Sequence, residues 1–287
     1  MTTLIERPLA EARARLGGAL FARVAGPEGP QRRDSIHGTP GPRHFEAGSP
    51  IQRVHGDASM FIGGLRALLL QSLHPLAIAA VDGHSGFRGD PWGRLQRTST
   101  FLAVTTFGTV SDATKAVTAV RAIHSRVRGT APDGRPYAAD DPHLLLWVHV
   151  AEVDSFLVAH DRYGERPLRG PDRDTYVAQA ALVARALGAA GPPTTGADLR
   201  QVIDGFRPEL EGTDAARRAA RFLLLQPPLP LAMRPAYGVL AAAAVGLLPR
   251  WARRPLRLPY LPLAELSAVR VGGEAVTRTI RWAMRPA

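Results

Sequence analysis

Residues Asp90–Val127 read DPWGRLQRTSTFLAVTTFGTVSDATKAVTAVRAIHSRV, and the predicted fold depends on the pattern in the second half of this segment. After Ser111, a good N-cap, apolar residues recur at the three- and four-residue spacing of an amphipathic helix, at Ala113, Val117, Val120, Ile123 and Val127. Gly129 follows as a stop signal. The pattern therefore predicts a helix from Ser111 to Gly129 with one apolar side.

His124 lies on the apolar side of this predicted helix, together with Val120 and Val127. A buried imidazole needs a partner for each ring nitrogen, and a metal ion on one side with a backbone carbonyl on the other would provide both. A hydrogen bond from a core histidine to another helix is the alternative. The spacing alone leaves both interpretations open.

Five short motifs follow one another along the chain. They are GGLRALLLQSLHPLA (Gly63–Ala77), HSGFRGDPWGRLQRT (His84–Thr98), IHSRVRG (Ile123–Gly129), DPHLLLWVH (Asp141–His149) and LPR (Leu248–Arg250). Across roughly residues 50–260 their order resembles the family that includes bacterial latex-clearing protein, a rubber oxygenase, and the fungal oxygenase of mycophenolic acid biosynthesis.

The resemblance implies an all-α, globin-related fold that encloses one non-covalently bound haem b. His124 matches the proximal iron ligand of that family, and Arg94 and Thr98 match residues of its haem pocket. Arg97 stands where the rubber-cleaving enzymes carry a lysine that can occupy the distal side. Because a guanidinium stays protonated and is a poor metal ligand, we expect Arg97 to bring a permanent positive charge to the pocket instead.

These assignments predict a haem-b-dependent oxygenase or oxidative tailoring enzyme that uses O₂ or peroxide on a small or lipid-like apolar substrate. Rubber itself is not expected as the substrate, because the matching lysine is absent and the chain is shorter than the secreted rubber oxygenases. A helical protein that binds haem or another hydrophobic ligand without turnover is the alternative. A basic module that binds a membrane surface or nucleic acid without iron is a third hypothesis.

The composition limits the chemistry. The 287-residue chain contains no cysteine, which excludes disulfides, thiolate-ligated haem, covalent haem attachment and cysteine-held clusters. Hydrophobic residues make up 45% of it, enough for a large core. The net charge of +11 comes from scattered arginines, with Lys115 as the single lysine, and no nucleic-acid-binding motif accompanies it. We therefore expect no nucleic-acid partner.

The chain is predicted to form one helical domain. Residues 1–50 are expected to contain a short helix and an irregular Gly/Pro-rich arm, and residues 51–287 the catalytic domain. Further helices are predicted at Asp57–His74, Asp141–Ala159, Asp172–Leu187, Ala197–Phe206, Thr213–Leu225 and Val269–Met284. Since the N-terminal residues lack the apolar core of a secretory signal, a cytoplasmic location is expected.

One apolar run suggests a membrane contact. Ala236–Pro249 is too short to span a bilayer and is predicted to be a core helix. Four arginines follow it, at positions 250, 253, 254 and 257. Peripheral contact with an anionic membrane near residues 236–257 is therefore a hypothesis, and the oligomeric state stays open.

The remaining histidines have separate interpretations. His74, before Pro75, is predicted to cap a helix end. Asp82 and His84 are either an acid/base pair or parts of a structured loop. His149, with Glu152 one turn later, raises a weaker metal hypothesis. The histidines of the arm and just after it, His37, His44 and His55, are expected to be solvated.

Overall fold

Helices make up nearly all of the secondary structure in the computed structural model, which describes residues 3–84 and 89–285. The first helices are α1 (Thr3–Ala25), α2 (Gly29–Gly38), α3 (Pro50–His55), α4 (Met60–Gln71), α5 (Pro75–His84), α6 (Pro91–Phe107) and α7 (Val110–His124). The strands β1 (Arg128–Thr130) and β2 (Pro136–Ala138) pair as a short antiparallel ribbon. The later helices are α8 (Pro142–Tyr163), α9 (Pro171–Leu187), α10 (Gly196–Phe206), α11 (Asp214–Leu225), α12 (Arg234–Leu247), α13 (Arg250–Arg253), α14 (Pro262–Leu266) and α15 (Ala268–Met284). The predicted all-α class is confirmed.

Helix α8 forms the centre of the core. Twelve of its 22 residues are buried, and it packs most extensively against α4. By length and composition α8 could span a bilayer, and half of its apolar window is buried inside the protein. The crossing with α4 is close at Gly63, where a Cβ atom would lie 2.9 Å from Phe156 Cδ1 and 3.3 Å from Ala159 Cβ. A glycine at this position lets the two backbones approach.

A buried arginine holds α4 against its neighbours. Arg66 is 3% exposed, and it forms an ion pair of 2.8 Å with Asp154 of α8. Its Nη1 donates a hydrogen bond of 2.7 Å to Ser155 Oγ, and its Nε donates one of 3.0 Å to the Leu247 carbonyl of α12. A buried charge satisfied by three partners fixes the relative positions of the three helices.

The N-terminal region differs from the prediction of an irregular arm, because residues Gly29–Gly38 form α2. The guanidinium of Arg43 donates hydrogen bonds to the carbonyls of Ile36, His37 and Thr39 near the end of this helix, at 2.9, 3.0 and 3.1 Å. These contacts satisfy the carbonyls of the last turn. Helix α1 packs against α15 and α6, so it belongs to the same body as the remaining helices.

Four of the predicted helices are observed as α9, α10, α11 and α15, each within one residue of its predicted ends. The predicted helix Ser111–Gly129 is observed as α7 but differs at both ends. It begins after Thr109, whose side chain accepts a hydrogen bond from the Asp112 backbone N–H, and it ends at His124. The end was misplaced because Gly129 pairs with Tyr137 in the ribbon instead of continuing the helix.

Candidate active site

Helices α6 and α7 pack against each other, and α7 also packs against α9. In α7 only Ala113 is fully buried among the described residues. Val117, Val120 and His124 remain half-buried, although they share the apolar side that the sequence predicts to face the core. The protein itself therefore leaves this apolar stripe partly uncovered.

His124 is the last residue of α7. None of the described residues forms a hydrogen bond with its ring. Burial lowers the pKa of His124, and the nearby Asp140 carboxylate opposes the shift only in part. The imidazole is consequently neutral at pH 7, with a ring nitrogen able to donate its lone pair.

Three helices meet one turn away from His124, at Gly188 after the end of α9. A Cβ atom on Gly188 would lie 3.5 Å from Arg121 Nη1 of α7 and 3.8 Å from Leu145 Cδ1 of α8. Arg121 Nη1 also donates a hydrogen bond of 3.0 Å to the Ala186 carbonyl. His124 follows Arg121 by one turn on α7, and His149 follows Leu145 by one turn on α8.

His149 and Glu152 lie one turn apart on α8. Burial, with a smaller contribution from Arg185, lowers the pKa of His149 to about 4. Burial also raises the pKa of Glu152 to about 7. Nε2 of His149 is buried without a hydrogen-bonding partner among the described residues. The two groups are thus poorly solvated and incompletely paired.

Both side chains nevertheless keep part of their accessible surface. The surrounding helices therefore desolvate both groups without enclosing them completely. Tyr176 of α9 adds a fully buried hydroxyl that lacks a hydrogen-bonding partner within the described chain. Burial and then the Glu152 carboxylate raise the pKa of Tyr176 well above its ordinary value. Helices α8 and α9 therefore bring together desolvated polar groups, two of which, His149 and Tyr176, have a polar atom without a hydrogen-bonding partner among the described residues.

His55 belongs to the same interior, which corrects the expectation that it is solvated. Its ring lies edge-on to Tyr176 at 5.9 Å between centroids, and its Nδ1 is 2.8 Å from Thr106 Oγ1. Burial lowers the pKa of His55 to about 3. Sequence reasoning missed this residue because it grouped His55 with the solvated histidines of the neighbouring arm.

The predicted residues of α6 lie toward the surface at the beginning of that helix. Arg94 is half-buried, and burial followed by the charge of Arg97 lowers its pKa. Arg97 is 65% exposed and forms an ion pair of 3.2 Å with Asp90. Thr98 is exposed. The structure thus places Arg94 deepest of the three, and Arg97 in a solvated pair.

The other acid/base candidates, Asp82 and His84, lie in the last turn of α5. Asp82 is exposed and lies 3.1 Å from Arg218 Nη2. Nδ1 of His84 is 3.3 Å from the Tyr137 hydroxyl. Residues 85–88 of the predicted motif lie outside the described residues. The expected loop begins only after these two residues, and their contacts fix the end of α5 against Arg218 and Tyr137.

Two surface cavities lie elsewhere. The first, about 490 Å³, is lined by residues around Leu73, Arg207 and Trp251. The second, about 340 Å³, is lined by residues around Arg254 and Tyr260. Neither is lined by a residue that the sequence analysis assigned to the haem pocket.

Residues 52–282, which include α4 to α14 and most of α15, match the family described as ER-bound oxygenase mpaB/B'/Rubber oxygenase, catalytic domain. The chain belongs to this family. The family is the one that the five motifs resemble, so that prediction is confirmed, and the chain carries an oxygenase catalytic domain.

Two curated relatives match a shorter part of the chain. Uncharacterized protein Mb2261 of Mycobacterium bovis and uncharacterized protein Rv2237 of Mycobacterium tuberculosis are each 41% identical to it over 71 residues. The match covers 25% of this chain and 28% of each relative. No solved structure matches the chain.

Proposed function

We propose that this oxygenase-family protein is a haem-b-dependent enzyme that oxidises a small or lipid-like apolar substrate with O₂ or peroxide. The observation that carries the proposal is the partly uncovered apolar stripe of α7, which presents the neutral imidazole of His124. A flat apolar macrocycle would cover such a stripe, and its iron would take the free ring nitrogen.

The donor set agrees with this assignment. The chain contains no cysteine, so imidazole is the strongest haem ligand available. We assign His124 as the proximal ligand, since it has the neutral, unbonded ring that coordination requires. When bound, haem b supplies the iron centre that activates the oxidant. All other contributions come from the side chains around it.

The arginines of α6 are suited to the haem carboxylates. Arg94 is half-buried on the helix that packs against α7, and we assign it to a propionate. Arg97 and Thr98 lie one turn further along at the surface, and we place them at the mouth of the pocket. There Arg97 keeps a positive charge near the entrance while Asp90 balances part of it.

Two desolvated side chains of α8 are suited to proton transfer. Because burial raises the pKa of Glu152 to about 7, its carboxyl can both hold and release a proton near neutral pH. His149 stays neutral at that pH, since its pKa is lowered to about 4. We propose that Glu152 is the proton donor and acceptor of the pocket and that His149 orients it or a water molecule.

An absorption spectrum of the purified protein tests the assignment. We expect a Soret band in the wild-type protein and its loss in His124→Ala. His44→Ala is the matched control, because His44 is an exposed histidine in a loop outside the site, and it should keep the band. Wild-type protein that stays colourless after titration with haem would contradict the proposal.

A second measurement distinguishes an enzyme from a protein that binds haem without catalysing a reaction. The haem-loaded protein should consume O₂ or peroxide when apolar test substrates such as unsaturated fatty acids are added. Glu152→Gln should slow this consumption while leaving the Soret band unchanged. Haem binding with no consumption under any of these conditions would favour the non-catalytic alternative.

We also propose that the protein contacts anionic membranes peripherally, at residues 254–271. In α12 the residues Leu240, Ala241, Ala243 and Ala244 are buried, so this helix itself is not free to face lipid. Exposed leucines follow it instead, with Leu263 84% exposed beside Leu261 and Leu266. Arg254 and Arg257 are exposed on the same segment of chain. Apolar side chains beside cationic ones suit an anionic lipid surface.

Vesicle sedimentation tests this contact. Binding to vesicles that contain phosphatidylserine should exceed binding to pure phosphatidylcholine and should weaken in Leu263→Asp. Leu182→Asp on α9 is the control, because Leu182 is also an exposed leucine. Equal binding of wild type and Leu263→Asp would exclude this segment as the contact.

A further inference from the structure

A cluster of three potential metal ligands lies away from the apolar stripe of α7. It consists of His74 between α4 and α5, His143 in the first turn of α8, and Glu209 in the short turn after α10. One ligand atom from each residue lies within 4.8 Å of the other two. Nε2 of His143 is 2.9 Å from Glu209 Oε2, and Nε2 of His74 is 3.4 Å from the same oxygen.

These separations suit a bound ion. Donor atoms about 2.1 Å from a tetrahedral ion lie roughly 3.4 Å from one another. Two of the three distances are already in this range. His143 and Glu209 are 53% and 40% exposed, so their side chains can move the remaining distance without disturbing the core.

His74 provides an independent observation. It is 2% exposed, its Nδ1 lacks a hydrogen-bonding partner among the described residues, and its Nε2 faces the Glu209 carboxylate at 3.4 Å without a well-aligned hydrogen bond. The sequence analysis predicted a helix-capping role for His74, and this prediction is wrong because neither ring nitrogen bonds a backbone carbonyl of the described residues. A buried imidazole that is incompletely paired costs free energy that a metal bond at Nε2 would recover.

The surrounding structure holds the three residues in place. The Glu211 backbone N–H donates a hydrogen bond of 2.7 Å to the Leu73 carbonyl, which fixes the segment carrying Glu209 beside His74. The Asp141 side chain accepts a hydrogen bond of 2.8 Å from the His143 backbone N–H and caps α8. The Phe206 ring packs on the His143 imidazole at 4.5 Å between centroids. The ligands thus come from three rigid elements.

We propose that His74, His143 and Glu209 bind one divalent transition-metal ion, with Zn²⁺ as the natural candidate. Two imidazoles and one carboxylate form a donor set that Zn²⁺ commonly takes, with water in the fourth position. The exposed side of the cluster, at His143 and Glu209, leaves room for that water. The ion would connect the α4–α5 joint, α8 and the segment after α10. This site is separate from the proposed haem site and does not depend on it.

Isothermal titration of the full-length protein with ZnCl₂ tests the site. The protein is prepared without a histidine tag, dialysed against a chelator and then freed of it. We expect one saturable site, and at least about tenfold weaker binding in His143→Ala and in Glu209→Gln. The side chains of His143 and Glu209 are 53% and 40% exposed, so replacing them should not disturb the core and the variants should fold. His44→Ala, which removes an exposed histidine outside the cluster, should bind like the wild type.

A crystal soaked in Zn²⁺ gives the location directly. An anomalous difference peak at the zinc edge should lie between the three side chains. Unchanged Zn²⁺ affinity in both variants, or a peak only at other histidines, would overturn the proposal. So would the absence of saturable heat in the wild-type protein. None of these outcomes bears on whether His124 binds haem, since that is measured by the Soret band.

Discussion

Glu152 follows His149 by three residues on α8, and burial shifts the two pKa values in opposite directions, to about 7 and about 4 respectively. In water the two side chains would carry opposite charges at pH 5 to 6. Inside the protein both are neutral over that range. Of these two uncharged groups, only Glu152 takes up and releases a proton near neutral pH.

The first prediction concerns the stability cost of Glu152. Because its pKa is raised from 4.5 to about 7, the folded protein keeps a proton that the unfolded chain has already released between these pH values. The free energy of unfolding therefore decreases as the pH rises from 4.5 to about 7. We expect Glu152→Gln to be more stable than the wild type above pH 7, by up to about 3 kcal/mol.

Urea unfolding of the haem-free protein at several pH values checks this. The two proteins should have similar stability below pH 4.5, where the carboxyl is protonated in both states. A constant difference across the whole pH range would show that Glu152 is not the titrating group.

The second prediction compares two adjacent glycines of α4. Gly63→Ala should destabilise the protein by about 1–3 kcal/mol, because the new methyl group would overlap Phe156 of α8. Gly64→Ala should be neutral or stabilising by up to about 1 kcal/mol, since nothing lies within 4 Å of a Cβ atom there. Thermal and urea unfolding of the pair measure the difference, and equal effects would contradict the close α4–α8 crossing.

The third prediction concerns the buried ion pair of Arg66 and Asp154. Asp154→Ala leaves the guanidinium of a residue that is 3% exposed without its charged partner, so we expect a loss of about 3 kcal/mol or more. Lys115→Ala, which removes an exposed ion pair with Asp112, should cost less than about 1 kcal/mol. Chemical denaturation distinguishes the two, and a small loss in Asp154→Ala would mean that Arg66 finds other partners.

The fourth prediction rests on the proposed haem site. Arg94→Gln should weaken haem binding by about tenfold or more, because it removes a charge-assisted hydrogen bond to a propionate. Arg97→Gln should change haem affinity much less, since its side chain is solvated and paired with Asp90. Haem titrations followed at the Soret band measure the affinity of each variant. If Arg97→Gln weakened haem binding more than Arg94→Gln, Arg97 and not Arg94 would be the residue that binds the propionate.

Much of the helical architecture could be predicted from local signals. Asp141 and Pro142 predict the beginning of α8, and Gly188 marks the end of α9. Helix α2 was missed because its last turn depends on the Arg43 side chain, which lies in the following segment. The end of α7 was misplaced because strand pairing with Tyr137 competes with the helix.

The histidines also differ in whether the sequence or only the tertiary structure reveals their surroundings. His124 could be placed on an apolar helix face from its spacing, and the family resemblance assigned it a role. The partners of His74 lie 69 and 135 residues further along the chain, so no sequence motif could unite them. The burial of His55 and the shifted pKa of Glu152 depend on helices packed from distant parts of the chain.

By itself the sequence determined the all-helical class, the oxygenase family and the position of His124 on its helix, because periodicity, caps and motifs are local properties of the chain. The tertiary structure alone decided which polar groups lose their water and which side chains meet. Desolvation and proximity arise only when elements far apart in sequence pack together, and they create both the neutral pair on α8 and the His74–His143–Glu209 cluster.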